Sequence, residues 1–407
     1  MKYMVRSVLV ILIYMGSYCV YAISNPLLHL DSTRLATSKK MITSRTASKE
    51  SLAAYKKLLQ QAEELLKGKM PTVMDKTILP PTKDKHDYLS ISRYWWPNED
   101  TADGLPWVRH DGETNPDTQT AAVDRKRLGF MGKSIWKLSL AYYFTDDEKY
   151  ASRAINMLKI WFINPETLMN PHLEFAQSVP GNPNNRPFGI LDGRSIVNNI
   201  PDAINLLSVS KHWNKDYQTK MIHWFTDYLK WLTESEIGIQ GSLLKNNHGS
   251  WYKYQVASLA YYLGEIELTK NTVVLAQKSL DDMLNDEGGQ IHELARTKSF
   301  FYSCLNLQAL SSIAELGDKV GMDMWHYESD NKKSLSLALN YLIPVVEGEK
   351  WPIETLKPVD ITGLVPIISK LAFKYKTRYY KKLLSNILEK NIHNSNLQEY
   401  WLVNSNF

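Results

Sequence analysis

Cysteine is nearly absent: Cys19 and Cys304 are the only two in 407 residues. They are too few for a disulfide framework or a cysteine-based metal site. Long apolar runs are also scarce. The run at residues 8–15 is too short to span a bilayer, and no later segment approaches a membrane span. The ten histidines are scattered, with no pair at i, i+4 and no carboxylate triplet beside them, so no metal site is expected. A phosphate-binding loop and a G-x-S-x-G elbow are both missing, and no cofactor is expected. An excess of one charge is missing too. The 48 basic and 43 acidic residues leave a net charge of +5, which suits an acidic ligand without demanding one and points to no nucleic acid.

What is present begins with a leader-like segment. Lys2 and Arg6 precede the apolar run, and Val20-Tyr21-Ala22 closes it. Residues 1–22 therefore read as a secretory signal peptide cleaved after Ala22, for a periplasmic or secreted protein without stable membrane insertion. Cys19 would suit lipid attachment, but Tyr18 is bulky where a small residue is wanted. Cleavage removes two positive charges and leaves +3.

The rest, residues 23–407, reads as one helical domain. Residues 48–67 start with Ser48 as a cap and put Leu52, Tyr55, Leu58, Leu59, Ala62 and Leu66 on one face. Similar periodicity covers 128–144, 147–163, 195–207, 217–234, 251–263, 266–283, 292–316, 332–342, 363–373 and 377–388. Short connectors such as Leu263-Gly264 predict antiparallel helix pairs. No βαβ alternation, no Pro/Ser-rich linker and no solenoid period occurs.

Two long segments break the helical pattern. Residues 83–117 contain Tyr94-Trp95-Trp96-Pro97 and Trp107-Val108-Arg109, and residues 164–193 contain His172 and Arg186. Long loops in a compact domain are functional or disordered. The aromatics favour order and ligand contact, because disordered segments are poor in them.

Chemistry concentrates in Asn246-Asn247-His248, in Glu293 to Ser299, and in Tyr302. Were residues 292–316 one helix, Glu293, Arg296, Ser299 and Tyr302 would share a face. Singly, each has a plainer reading: a helix cap for Asn-Asn-His, a surface ion pair for Arg296, a core aromatic for Tyr302. Together they match what β-elimination from a uronic acid needs. The proton on C5 lies beside a carboxylate, and amide, imidazole and guanidinium groups neutralise that charge. A tyrosine exchanges protons if cations such as Arg296 and Lys298 lower its pKa from about 10.

These residues resemble the alginate lyase superfamily, which includes polysaccharide lyase families 5, 17 and 38. The likeness runs from about residue 88 to 351. It rests on Tyr94-Trp95-Trp96-Pro97, Gly104-Leu105-Pro106-Trp107-Val108-Arg109, Asn247-His248 and the run from Glu293 to Tyr302. It implies an all-α, incomplete (α/α) toroid of antiparallel helix pairs whose cleft binds an anionic polyuronate. By the same resemblance Asn247, His248 and Arg296 neutralise the carboxylate and Tyr302 is the catalytic tyrosine. One residue fewer than in family 5 separates Arg296 from Tyr302, and no β-sheet domain follows the helices as in family 17. Family 38 is thus the nearest pattern, and alginate, with mannuronate-type linkages preferred, and glucuronan are the candidate substrates. Asn198, Asn199, Trp95, Trp96, Trp107, Arg109, His172 and Lys298 are the expected substrate contacts. Two other classes compete. A glycoside hydrolase on an (α/α) barrel needs paired carboxylates, and Asp111, Asp192 and Glu293 form no convincing pair. A helical glycan-binding protein would use the tryptophans without needing Arg296 and Tyr302.

Overall fold

A computed structural model describes residues 27–182 and 186–403; the expected signal peptide lies outside the described residues. Several helices start where a short polar side chain captures a free backbone N–H. Ser48 accepts from Ser51 N at 3.1 Å and starts Lys49–Lys67; Asn214 and Asn246 do the same for Lys215–Glu234 and Asn247–Leu263. Chain reversals are equally local. Asp146 (φ 57°) ends Arg125–Thr145 and leads into Glu148–Phe162, and Gly264 (φ 83°) ends Asn247–Leu263 and leads into Ile266–Met283.

The helical hairpins follow one another around a ring. Arg125–Thr145 packs on Glu148–Phe162 and Ile200–Leu207, Lys215–Glu234 on Asn247–Leu263, and Asn247–Leu263 on Ile266–Met283 and Ser299–Lys319. Ser299–Lys319 meets Val365–Tyr375, which pairs with Arg378–Lys390. The last described helix, Gln398–Val403, returns to Lys49–Lys67, where Ser51 Oγ donates to the Trp401 carbonyl at 2.9 Å. The fold is an all-α, incomplete (α/α) toroid around one apolar core that runs from Leu28 to Leu402. Asn247–Leu263 is its central post. Every residue of that helix but His248, Tyr261 and Leu263 is buried, as expected of a helix enclosed on all sides.

Two short strand pairs order the long loops, one joining the first loop to the second and one within the first. Leu89–Ile91 runs parallel to Phe175–Ser178, and Trp95–Trp96 runs antiparallel to Val108–Arg109. Residues 89–91 of the first loop and 175–178 of the second therefore lie side by side.

Several helices differ from the periodicity, and the one expected at 332–342 runs instead from Leu335 to Glu347. Residues 195–207 divide into Arg194–Val197 and Ile200–Leu207, because Pro201 has no N–H to donate and its ring crowds the carbonyl four residues earlier. Residues 292–316 divide into Ile291–Leu294 and Ser299–Lys319. In the gap the Thr297 N–H donates to Asp111 and the Thr297 carbonyl accepts from Leu356 N, so that peptide is taken out of any helix. Asn247–Leu263 begins four residues before the expected start at Trp251. Ser32–Thr43, Glu236–Ser242 and Gln398–Val403 were not evident in the pattern.

Candidate active site

The first turn of Asn247–Leu263 opens on the ring's mouth. Asn246 Oδ1 caps it by accepting from His248 N at 3.1 Å. Gly249 is required here, since a Cβ would sit 1.8 Å from the Leu244 carbonyl oxygen. Asn247 is fully enclosed behind His248. Its backbone N and Nδ2 donate to Glu293 at 2.7 and 2.9 Å, and its Oδ1 has no partner among the described residues. Burial raises the Glu293 pKa to about 7, against the pull of the two Asn247 donors.

His248 Nδ1 lies 3.0 Å from the Phe188 carbonyl. A carbonyl only accepts, so Nδ1 carries the hydrogen and Nε2 keeps its lone pair. Burial drives the His248 pKa down to about 3, with Arg296 adding to the effect, so the imidazole is neutral at working pH. The Phe188 ring meets it edge-on, 5.0 Å between centroids.

Tyr302 stands on the first turn of Ser299–Lys319 and donates its hydroxyl to the Tyr94 hydroxyl at 2.8 Å. The Arg296 guanidinium lies 3.9 Å above the Tyr302 ring. That guanidinium is also bound to Asp111, Nη2 at 2.6 Å and Nε at 3.1 Å. Asp111 further accepts from Arg109, Thr297 N and Thr297 Oγ1. Burial opposes ionisation of Asp111, but Arg296 and these donors hold it well below the usual carboxylate range. The Tyr302 hydroxyl goes the other way. Burial raises its pKa more than Arg296 lowers it, and Tyr94 raises it further. The expectation that Arg296 and Lys298 would leave it depressed is thus corrected. Lys298 spends its ammonium on the Gly112 carbonyl and lies over Tyr94 instead.

Tyr94, Phe188, His248, Arg296 and Tyr302 line a cavity of about 220 Å³. Its wall carries Arg93, Arg109, Arg125, Arg186, Arg194 and Arg296 against a single carboxylate, Asp192. Asp192 is itself saturated, accepting from Tyr88 (2.9 Å), Ser90 (2.6 Å), Gln177 (3.1 Å) and Arg125 (2.9 Å). Burial works to raise its pKa, but Arg125 and the three neutral donors keep it below the ordinary value. Arg186 lies between the rings of Trp95 and Phe188, 4.9 Å from each, and its buried Nη1 has no partner among the described residues. Such a wall attracts an anionic chain and repels few of its charges.

The cavity brings together Tyr302, His248, Arg296, Trp95 and Arg109 from the sequence expectations. The others fall elsewhere. Asn247 is enclosed behind His248 rather than lining the cavity, and Lys298 stands behind Tyr94. Trp96 stacks on His110 and donates to the Glu113 carbonyl. Trp107, half-buried, is not on the wall; its backbone N–H donates to the Pro180 carbonyl. His172 is held by Asp87 at 2.9 Å and packs against Trp231, away from the cavity. Asn198 and Asn199 line two rear cavities with Trp136 and Glu399, because the Pro201 break turns them off the cleft side. The sequence reasoning missed Arg93, Arg125, Arg186, Arg194, Gln177 and Asp192 as wall residues. A cue was available: Arg186-Pro187-Phe188-Gly189-Ile190-Leu191-Asp192-Gly193-Arg194 places two arginines and an acid in a long ordered loop.

The sequence model for alginate lyase matches residues 72–351. Among solved structures, an alginate lyase from Bacteroides ovatus is 32% identical with a TM-score of 0.85, over 92% of this chain and 98% of its own. Alginate lyase A1-III from Sphingomonas species A1 is 16% identical with a TM-score of 0.55, over 87% of this chain and 91% of its own. A tyrosine-to-phenylalanine variant of A1-III complexed with a tetrasaccharide is 13% identical with a TM-score of 0.56, over 88% and 92%. The two A1-III structures share the fold. No curated protein matches the chain.

Proposed function

The chain belongs to the alginate lyase family and is a polysaccharide lyase, and we propose that it cleaves a polyuronate by metal-independent β-elimination, with alginate of the mannuronate type preferred and glucuronan as the alternative. One observation carries this reading: the cavity that holds Tyr302 and a neutral His248 has six arginines and one saturated carboxylate on its wall. An acidic polysaccharide is the ligand such a wall suits.

In the elimination a base removes the C5 proton, and the C5–H electron pair becomes the C4–C5 double bond. The C4–O4 bond breaks, and O4 leaves with its electron pair and accepts a proton. Tyr302, a neutral phenol, is suited to give that proton. As a base it must first lose its own to solvent, and Arg296, 3.9 Å above the ring, is the cation that stabilises the phenolate. In mannuronate and glucuronate, H5 and O4 lie on one side, so Tyr302 serves both steps. In guluronate they lie on opposite sides, and His248 Nε2 is the base across the ring. Asn247, clamped by Glu293, supports the turn that carries His248. Hydrolysis would require a second carboxylate facing the first across the bond, and Asp192 stands alone on the wall.

An exported location follows the reading of residues 1–22 as a signal peptide. Among the described residues, no helix is long and apolar enough to cross a membrane.

The test uses the purified chain on mannuronate-rich alginate, guluronate-rich alginate and glucuronan, followed by ultraviolet absorbance of the new double bond. The strongest signal is expected on mannuronate or glucuronate, unchanged after dialysis against EDTA. New reducing ends without absorbance would defeat the lyase reading, and activity lost to EDTA and restored by a divalent cation would defeat metal independence.

A further inference from the structure

We infer that Arg194, rather than Arg296, is the guanidinium that neutralises the uronate carboxylate during elimination; the inference rests on the lyase reading above. The argument starts from which cleft arginines already have an anion. Arg296 has both Nε and Nη2 on Asp111, Arg109 shares the same carboxylate, and Arg125 is paired with Asp192. A guanidinium in a close bidentate pair presents little net field, and an incoming carboxylate would compete with the one in place.

Arg194 is different. It lines the same cavity, half-buried, and forms no ion pair among the described residues. Asp192, two positions earlier, is saturated by other donors. Backbone packing fixes where Arg194 stands. A Cβ on Gly193 would come within 2.1 Å of Gln255 Oε1 and Tyr228 Oη, so this turn is pressed onto Lys215–Glu234 and Asn247–Leu263. From there the guanidinium lies 5.9 Å from the ring of Trp251, one helical turn beyond His248. Arg194 thus stands beside the helix that carries His248, while Arg296 covers the Tyr302 ring.

Two other wall arginines, Arg93 and Arg186, also lack a carboxylate. Arg186 is sandwiched between Trp95 and Phe188, which suits a neighbouring sugar. The charges of Arg194 and Tyr302 interact. Burial and the nearby Arg93 lower its pKa to about 10, so it is still a cation at neutral pH but a poorly solvated one. An unpaired, partly dehydrated cation gains most from an arriving carboxylate, and its field acts directly on the charge that develops as H5 leaves. Arg296 then acts through Tyr302.

Esterification separates the two roles, because a methyl ester has no carboxylate to neutralise. Arg194→Gln, Arg194→Lys and Arg296→Gln are compared with the unaltered chain on the polyuronate it cleaves best and on the methyl ester of that polymer. Arg194→Gln is expected to lose about 100- to 1,000-fold in kcat on the acid and far less on the ester. Arg194→Lys keeps a charge without the planar fork and should show a smaller loss with the same preference. Arg296→Gln should lose alike on both polymers. Equal losses of Arg194→Gln on acid and ester, no loss on either, or an acid-selective loss only in Arg296→Gln would overturn the assignment. Should Arg194→Gln fail to fold by thermal melt, the acid-to-ester ratio of Arg194→Lys decides it by the same criterion. Failure of the unaltered chain to make unsaturated product from any polyuronate would refute the lyase reading itself, before any variant is compared.

Discussion

Arg296 covers the ring of Tyr302 at 3.9 Å while its Nε and Nη2 hold Asp111. The arrangement holds a cation over a phenol that burial nonetheless keeps protonated. It couples the state of the hydroxyl to an ion pair reaching across from the first long loop.

The first prediction concerns that hydroxyl. Tyr302→Phe keeps the ring, its packing and the Arg296 contact, and removes only the bond to Tyr94. Turnover should fall by about 10²–10⁴-fold, the usual contribution of a general acid or base. Binding of the polymer should persist, measured by retention on an alginate matrix. Near-normal turnover would remove Tyr302 from the mechanism.

How far the sequence reveals this site depends on how local each determinant is. Ile266–Met283 agrees with the hydrophobic periodicity at both ends, because Gly264 before it and the turn after it are local signals. The split at residues 295–298 has no local signal. It is made by Asp111, 185 positions from Arg296, and a short-range pattern cannot contain such a partner. The same holds for the arginines. Arg186 and Arg194 are visible as residues, but what distinguishes Arg194 from Arg125 is the carboxylate each one has or lacks after folding. Asn198 and Asn199 mislead for a smaller reason. A break at Pro201 turns them toward the rear of the ring, where they line other cavities.

The second prediction concerns Glu293, buried behind the catalytic turn. Its carboxylate accepts both the N–H and the amide of Asn247; once protonated it loses part of that capacity. With a pKa near 7, activity should show an acid limb close to neutrality, and His248, neutral down to about pH 3, is not its source. Glu293→Gln should flatten that limb at a lower plateau. Stability should move in the opposite sense. The folded pKa is raised above the free value of 4.5, so the associated stability is complete below 4.5 and is lost as pH rises through 7. Melting temperatures of the two proteins should therefore diverge across that window. An acid limb that survives unchanged in Glu293→Gln would assign it to another group.

The last prediction concerns acid stability and lies away from the cleft. His29, on the rear cavity, has Nε2 2.7 Å from the Tyr254 hydroxyl. Burial raises the Tyr254 pKa, so that hydroxyl stays a donor and Nε2 must accept. Protonating the ring would force this bond to reverse and place a cation in a buried site near Lys370 and Lys319. Burial first, and those lysines second, lower its pKa from 6.5 to about 3. A base depressed in this way is neutral in the fold but takes up a proton on unfolding below 6.5. Its stabilising effect is whole above pH 6.5 and drains away as pH falls toward 3. One proton corresponds to a slope of about 1.4 kcal/mol per pH unit. Asp202, buried where it accepts the backbone N–H groups of Leu28, His29 and Leu30, has its pKa raised to about 6 and acts in the opposite direction. The wild-type curve therefore mixes both effects, and a difference curve is needed. In His29→Gln the amide oxygen can still accept from Tyr254 but does not titrate, while Asp202 is retained. Urea unfolding from pH 7 to pH 4 should show a shallower acid loss in His29→Gln than in the unaltered chain, with KM unchanged because the rear cavity is separate from the cleft. Parallel curves would mean that His29 does not resist protonation in the fold.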